Sequence, residues 1–179
     1  MIEVRDIVDF WRDAGPACWF RGGAAFDAQC RARFLDAHLA ASRRECEHWM
    51  AHADGALALL LLLDQIPRNV YRGSAHSYAT DPLARQHATR AIQAGFDRQV
   101  EPSLQVFFYL PFEHSEDLGD QRRSLELHQQ LAGDSGDRWA RLHLELIERF
   151  GRFPHRNAVL GRESTAAEQA YLDQGGFSG

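Results

Sequence analysis

Three short stretches of this 179-residue chain set charged side chains directly against aromatic or Leu-rich sequence: LLLDQIPRNVYRG at 61–73, FFYLPFEHSEDLGDQ at 107–121 and RFGRFPHRNAVLGR at 149–162. A charge beside a low-dielectric surface is costly unless paired, so such residues serve either a structural ion pair or a site. In the first stretch Asp64 and Arg68 stand four apart at a helix end, an i,i+4 spacing, with Asn69 beside them. Arg68 either locks the turn through Asp64 or faces a ligand. The second stretch offers His114 and Glu116 as acid/base groups. The third gathers Arg152, Arg156, Arg162 and Asn157 around Pro154, with His155 as a proton carrier near neutral pH. Guanidinium groups recognise carboxylate or phosphate through paired N–H donors. The same arginines can instead tie distant turns together through Asp64, Glu116 and Asp117, and both readings stand at this point. The candidate catalytic residues are therefore His114, Glu116 and His155, and the candidate substrate-binding residues are Asp64, Arg68, Asn69, Arg152, Arg156 and Asn157.

Several chemistries are excluded. All 20 basic side chains are Arg and the chain has no Lys, which removes the pyridoxal-phosphate Schiff base, the P-loop lysine and any amine nucleophile. His114, Glu116, His143 and His155 supply metal-ligand types, but no H-x-x-x-H or H-E-x-x-H spacing joins them, so no metal site is expected. Ser115 follows a histidine, yet there is no G-x-S-x-G elbow, and it falls where a helix N-cap is needed. The sequence identifies no cofactor.

Longer motifs carry a resemblance. Leu63-Asp64-Gln65-Ile66-Pro67-Arg68-Asn69, Thr80-Asp81-Pro82, Tyr109-Leu110-Pro111-Phe112, His114-Ser115-Glu116-Asp117 and Phe150-Gly151-Arg152-Phe153-Pro154-His155-Arg156-Asn157 span nearly the whole chain. On them the chain resembles the bacterial family catalogued as domain of unknown function family 924, with Ile66 where a Phe is usual. The resemblance implies a divergent, tetratricopeptide-like helical fold and no settled activity.

The elements that must position these residues are helical. The chain holds 25 Ala and 20 Leu against 14 Val, Ile and Thr together, a balance that favours helices over strands. An all-α single domain over 1–179 is expected, with about eight helices packed as antiparallel hairpins, tetratricopeptide-like but irregular. The first helix covers about 2–13 and ends at Gly15-Pro16. A second starts at an Asp27 cap and runs through EHWMA, with RRECEHW as a solvated face. Asp54 caps the Leu-rich core helix, which stops at Pro67. Thr80-Asp81-Pro82 opens a helix to about Ala94, because proline fits a first helical turn. EPSLQVFFYLPF forms a short helix, and Ser115 caps the next. DRWARLHLELIERF makes another, and Thr165 with Glu168 makes a capping box for the last.

A formal charge of -5 without a basic run argues against nucleic acid as partner. The apolar run 56–63 is too short to span a membrane, and the acidic start does not read as an export signal. With three cysteines, Cys18, Cys30 and Cys46, and no paired spacing, a cytoplasmic protein is expected. Two functional readings follow. One is a small-molecule enzyme or binder for an anionic metabolite, a carboxylate or phosphate, held in an Arg/His/acid pocket. The other is a non-catalytic helical-hairpin scaffold with an exposed apolar groove for a peptide or protein. Arg156, so near Phe150 and Phe153, is expected to be buried and bonded to an acid, Asp64 or Glu116.

Overall fold

The leucine run that follows Asp54 forms the spine of the first half of the chain, and its course departs from the sequence expectation at Pro67. This computed structural model describes residues 2–131 and 137–178, which divide into two compact units, one of residues up to Arg72 with His76–Pro111 and one of Gly73–Ala75 with Phe112 onward. All the regular structure among the described residues is helical. No helix among them is long and apolar enough to cross a membrane.

In the first unit, helix α1 spans Val4–Arg21 and α2 spans Gly23–Ser42. Gly15 breaks α1 with φ 67° and ψ 176°, so the Gly15-Pro16 pair does interrupt the helix, but it bends it rather than ending it. The Trp11 carbonyl, next to this break, accepts a 2.6 Å bond from the Trp19 indole. Asp27 lies inside α2 rather than at its cap, where Arg72 grips it with bonds of 2.7 and 2.8 Å. Nor does α2 run on to Ala51. Arg44 takes a left-handed conformation (φ 63°) and a 3-10 segment follows at Glu47–Ala51. RRECEHW is therefore no plain solvated helix: Glu47 lies 3.2 Å from both Arg90 and the buried His87.

Helix α3 (Ala53–Leu60) begins at His52, with Asp54 in its first turn, and passes through a π-helical turn at Leu61–Gln65 into α4 (Ile66–Val70). Every residue from Gly55 to Pro67 is buried, as befits a helix apolar on all faces. The helix does not stop at Pro67, and side chains explain why. In the π register Ile66 N–H reaches back to the Leu61 carbonyl, and Pro67 has no N–H to give. The carbonyls so released find other donors: His38 Nδ1 at 2.8 Å on Leu62 O, Thr80 Oγ1 at 2.5 Å on Leu63 O, and Arg68 on Asp64 O. Helix α2 packs on α4, α1 on α3, and α3 on α5 (Asp81–Gln93). Trp11, Phe34, Phe107 and Leu57 through Leu63 fill the core.

A 3-10 segment at Pro102–Phe108 leads into α6 (Leu110–Glu113), where the chain passes into the second unit. There α7 (Leu118–His128) packs on α8 (Arg138–Phe150). The cap of α7 is Asp117, which accepts from Asp120 N–H at 3.0 Å, while Ser115, expected in that role, donates to Asp120 at 2.7 Å. A 3-10 turn at Pro154–Arg156 and α9 (Ala166–Asp173) complete the unit, with the Thr165/Glu168 capping box in place. Leu146, Ile147 and Phe153 form its core, and Phe150, Tyr171 and Phe177 lean on it.

Candidate functional site

The π turn decides what Asp64 and Arg68 do. It holds Asp64 at 1% exposure, with its carboxylate accepting from Gln65 at 2.5 Å and lying 3.4 Å from Arg68. Arg68 makes its stronger pair with Asp81, whose two oxygens each take a 3.0 Å bond from the guanidinium. Its charge also sits 5.7 Å over the Tyr78 ring. Asn69 donates to the Gln65 carbonyl at 3.2 Å. These contacts join the first motif to the Thr80-Asp81-Pro82 motif, and Asp81, read from the sequence only as a helix-start residue, is the partner that reading missed. Within this unit Arg68 thus acts between two buried carboxylates.

The second unit brings together all six candidates that fall in it. Glu116 accepts from Arg162 at 2.7 and 2.9 Å and from the Phe153 amide at 2.8 Å. Burial pushes its pKa up, but the Arg162 and Phe153 hydrogen bonds outweigh that and hold it below the usual carboxylate range. Arg162 also reaches the Phe153 carbonyl at 3.1 Å and Asn157 Oδ1 at 2.9 Å. Asn157 in turn donates to Ser164 and to Glu168. Arg152 pairs with Glu168 at 2.6 and 2.8 Å, and those hydrogen bonds pull the Glu168 pKa down to about 2. Arg152, Arg162, Asn157 and Glu116 therefore tie the turn after α8 to the start of α7 and of α9. Glu168 was visible in the sequence only as a capping residue.

His155 and Arg156 sit within that frame. Arg156 is 6% exposed, as expected; its Nη1 donates to the His114 carbonyl at 3.0 Å and its charge lies 4.6 Å over the Phe153 ring. Glu116, one of its two expected partners, is held by Arg162, and Arg156 acts on it only through space. The His155 ring stands between those of Phe153 (5.6 Å) and Phe177 (5.1 Å). Burial first, and the Arg156 charge second, lower its pKa to about 4, so it is neutral at pH 7. Its Nδ1 is buried and finds no hydrogen-bond partner among the described residues.

A second imidazole lies close by. His143 donates from Nδ1 to the Trp139 carbonyl at 2.8 Å, and its ring meets Phe153 at 5.2 Å and Phe177 at 4.9 Å. Burial lowers its pKa to about 3. The His114 imidazole adds a through-space lowering to His128, His143 and His155 alike. The sequence reading weighed His143 only as a metal ligand, whereas its place on the buried face of α8 makes it the neighbour of His155. No group of three His, Cys, Asp or Glu side chains among the described residues is arranged to hold a metal ion.

The unit can thus present a guanidinium beside neutral imidazoles, groups suited to holding an anion and to accepting a proton. Comparison with known proteins adds kinship. A solved structure of a protein of unknown function from Agrobacterium tumefaciens is 54% identical, covers 96% of this chain and 97% of its own, and superposes with a TM-score of 0.92. No curated protein matches the chain. The family model described as "Bacterial protein of unknown function (DUF924)" matches residues 7–176, and the chain belongs to that family.

Proposed function

We propose that the second unit carries a site for a small anionic metabolite, a carboxylate or phosphate, at which the chain acts as a binder or an enzyme. Arg156 supplies the positive charge, His155 the neutral imidazole that accepts a proton, and His114 stands beside them. The observation that carries this reading is His155 itself: a half-buried imidazole, neutral at physiological pH, whose buried Nδ1 lacks a partner among the described residues. Leaving a buried polar atom unbonded costs about 1–3 kcal/mol, and a ligand that bonds to it recovers that cost. In this reading Glu116, Arg152 and Asn157 hold the frame, and Asp64, Arg68 and Asn69 hold the turn after the core helix. The scaffold alternative needs a broad exposed apolar groove. Among the described residues the exposed large hydrophobics are Phe20 and Leu39 in the first unit and Trp139 in the second, which favours the small-molecule reading. The absence of any disulfide among the three cysteines supports a cytoplasmic setting.

The reading makes a linked prediction. The Arg156 charge adds to burial in keeping His155 unprotonated, so an anion bound beside both groups raises the His155 pKa and binding takes up protons. Thermal-shift measurements with inorganic phosphate, acetate and succinate identify the anion class; at 100 times its dissociation constant a ligand stabilises by about 2.7 kcal/mol. Calorimetry of that anion in two buffers of different ionisation enthalpy then reads the proton uptake, which His155→Gln abolishes. The absence of a shift with any of the three anions at millimolar concentration sinks the reading.

A further inference from the structure

The segment after α9 ends its course on the two neutral imidazoles. Gly175 turns the chain with φ 77°, and Gly176 then passes so close to Tyr171 that a Cβ there would lie 2.4 Å from the ring. Only glycine fits this approach. Phe177 follows, its amide donating to the Tyr171 hydroxyl at 2.8 Å. Its ring stands edge-on to both His143 (4.9 Å) and His155 (5.1 Å). On its outer side is Trp139 at 5.9 Å, itself 49% exposed.

One aromatic side chain therefore covers both imidazoles. It is attached through two glycines whose amides bond back to the end of α9, at Leu172 O and Tyr171 O (3.0 Å each), while Phe177 itself is held by its one amide bond to the Tyr171 hydroxyl and by ring-edge contacts. Groups held by so few contacts open locally at far lower cost than a core residue does. His143 and His155, by contrast, stand on α8 and on the 3-10 turn fixed by the Glu116–Arg162 pair, so the cover can leave without moving what it covers.

We propose that Gly175–Phe177 is a displaceable cover over the His143/His155 pair, which controls access to the site assigned above to a small anion. This inference rests on that assignment for its purpose, but its test does not involve the anion. In the closed form Phe177 screens its side of each imidazole from water; in the open form that side of both becomes accessible.

Diethyl pyrocarbonate, which acylates unprotonated imidazole nitrogen, reads the cover directly when modification at each histidine is followed by peptide mass spectrometry at pH 7. Exposed His48 and His52 serve as the fast reference and buried His128 as the control. In the unaltered protein His143 and His155 react more slowly than His48 and His52. In Phe177→Ala both accelerate by about tenfold or more while His128 does not, as local opening requires. Tyr171→Phe, which keeps the ring and removes only the hydroxyl that anchors Phe177, gives a smaller rise at the same two residues. Unchanged rates in Phe177→Ala overturn the proposal. So does a rise shared by His128, since that marks general loosening of the unit. If the cover opens as described and no anion shifts the melting temperature, the cover stands and the anion assignment falls.

Discussion

The Glu116–Arg162 pair is the joint on which the His155–Arg156 turn depends, and its strength can be worked from its surroundings. Glu116 accepts three hydrogen bonds, two from the Arg162 guanidinium and one from the Phe153 amide at the head of the turn. A fully buried pair costs about 3–5 kcal/mol to break, whereas an exposed one contributes about 0–1 kcal/mol. Here the side chains are 27% and 23% exposed, between those limits. Glu116→Gln keeps one acceptor oxygen but turns an NH2 toward the guanidinium, and Arg162→Ala leaves the carboxylate with the Phe153 amide alone. Each is expected to cost about 2 kcal/mol. Once either partner is gone the other has little left to lose, so the double variant costs about 2–3 kcal/mol and the coupling is about 1–2 kcal/mol. Urea unfolding of the four proteins measures it. A partly buried bidentate pair is weakly screened, so the coupling persists at 0.5 M salt. Single effects that add to within about 0.5 kcal/mol, or a coupling that salt removes, refute the reasoning and return Glu116 to the list of residues able to act on a ligand.

Two further outcomes follow from the rest of the structure. Thr80→Val removes the hydroxyl that caps Leu63 O, a loss of about 1–3 kcal/mol in urea unfolding, and the loss shrinks in a Pro67→Ala background, where residue 67 regains an N–H for the released carbonyls; equal losses in both backgrounds count against this account of the π turn. In acid, His143 and His155 resist protonation in the folded chain until about pH 3 and 4, while the unfolded chain takes up protons at each near 6.5. Unfolding is then favoured as pH falls below about 6.5, while above that these groups contribute no slope. The expected loss is about 1–2 kcal/mol per pH unit between 6 and 4, given up to about 1.4 for each histidine. The Glu168 carboxylate adds its own loss as pH falls from 4.5 toward 2. Urea midpoints that stay flat from pH 7 to 5 contradict the neutral state of the two histidines.

What the sequence made legible was whatever a few neighbouring residues decide. Thr80-Asp81-Pro82 opens α5, the Thr165/Glu168 box opens α9, and the amphipathic pattern of DRWARLHLELIERF fits α8 to within a residue, because cap, proline and periodicity are local properties. The errors lie where distant side chains decide. A proline ends a helix when nothing else takes the carbonyl it abandons, and at Pro67 the donors are His38 on α2 and Thr80 at the cap of α5. Asp27 had the composition of a cap but answers to Arg72, and Ser115 yields the cap to Asp117 two residues on.

The site was legible to a lesser depth for a related reason. That Arg156 would be buried follows from the Phe and aliphatic residues around it, and it is. Which carboxylate each arginine takes does not follow from spacing, because Arg152, Arg156 and Arg162 are alike in type and all lie within one turn-rich stretch. The structure separates them by neighbour: Arg152 pairs with Glu168 and Arg162 with Glu116, and Arg156 lies over Phe153 and donates to the His114 carbonyl. The protonation states were further still from view. An unperturbed histidine titrates near neutrality and so reads as a proton carrier in any sequence. Its place between Phe153 and Phe177, together with the Arg156 charge, instead keeps His155 uncharged at neutral pH, and neither influence can be read from the residues beside it in sequence.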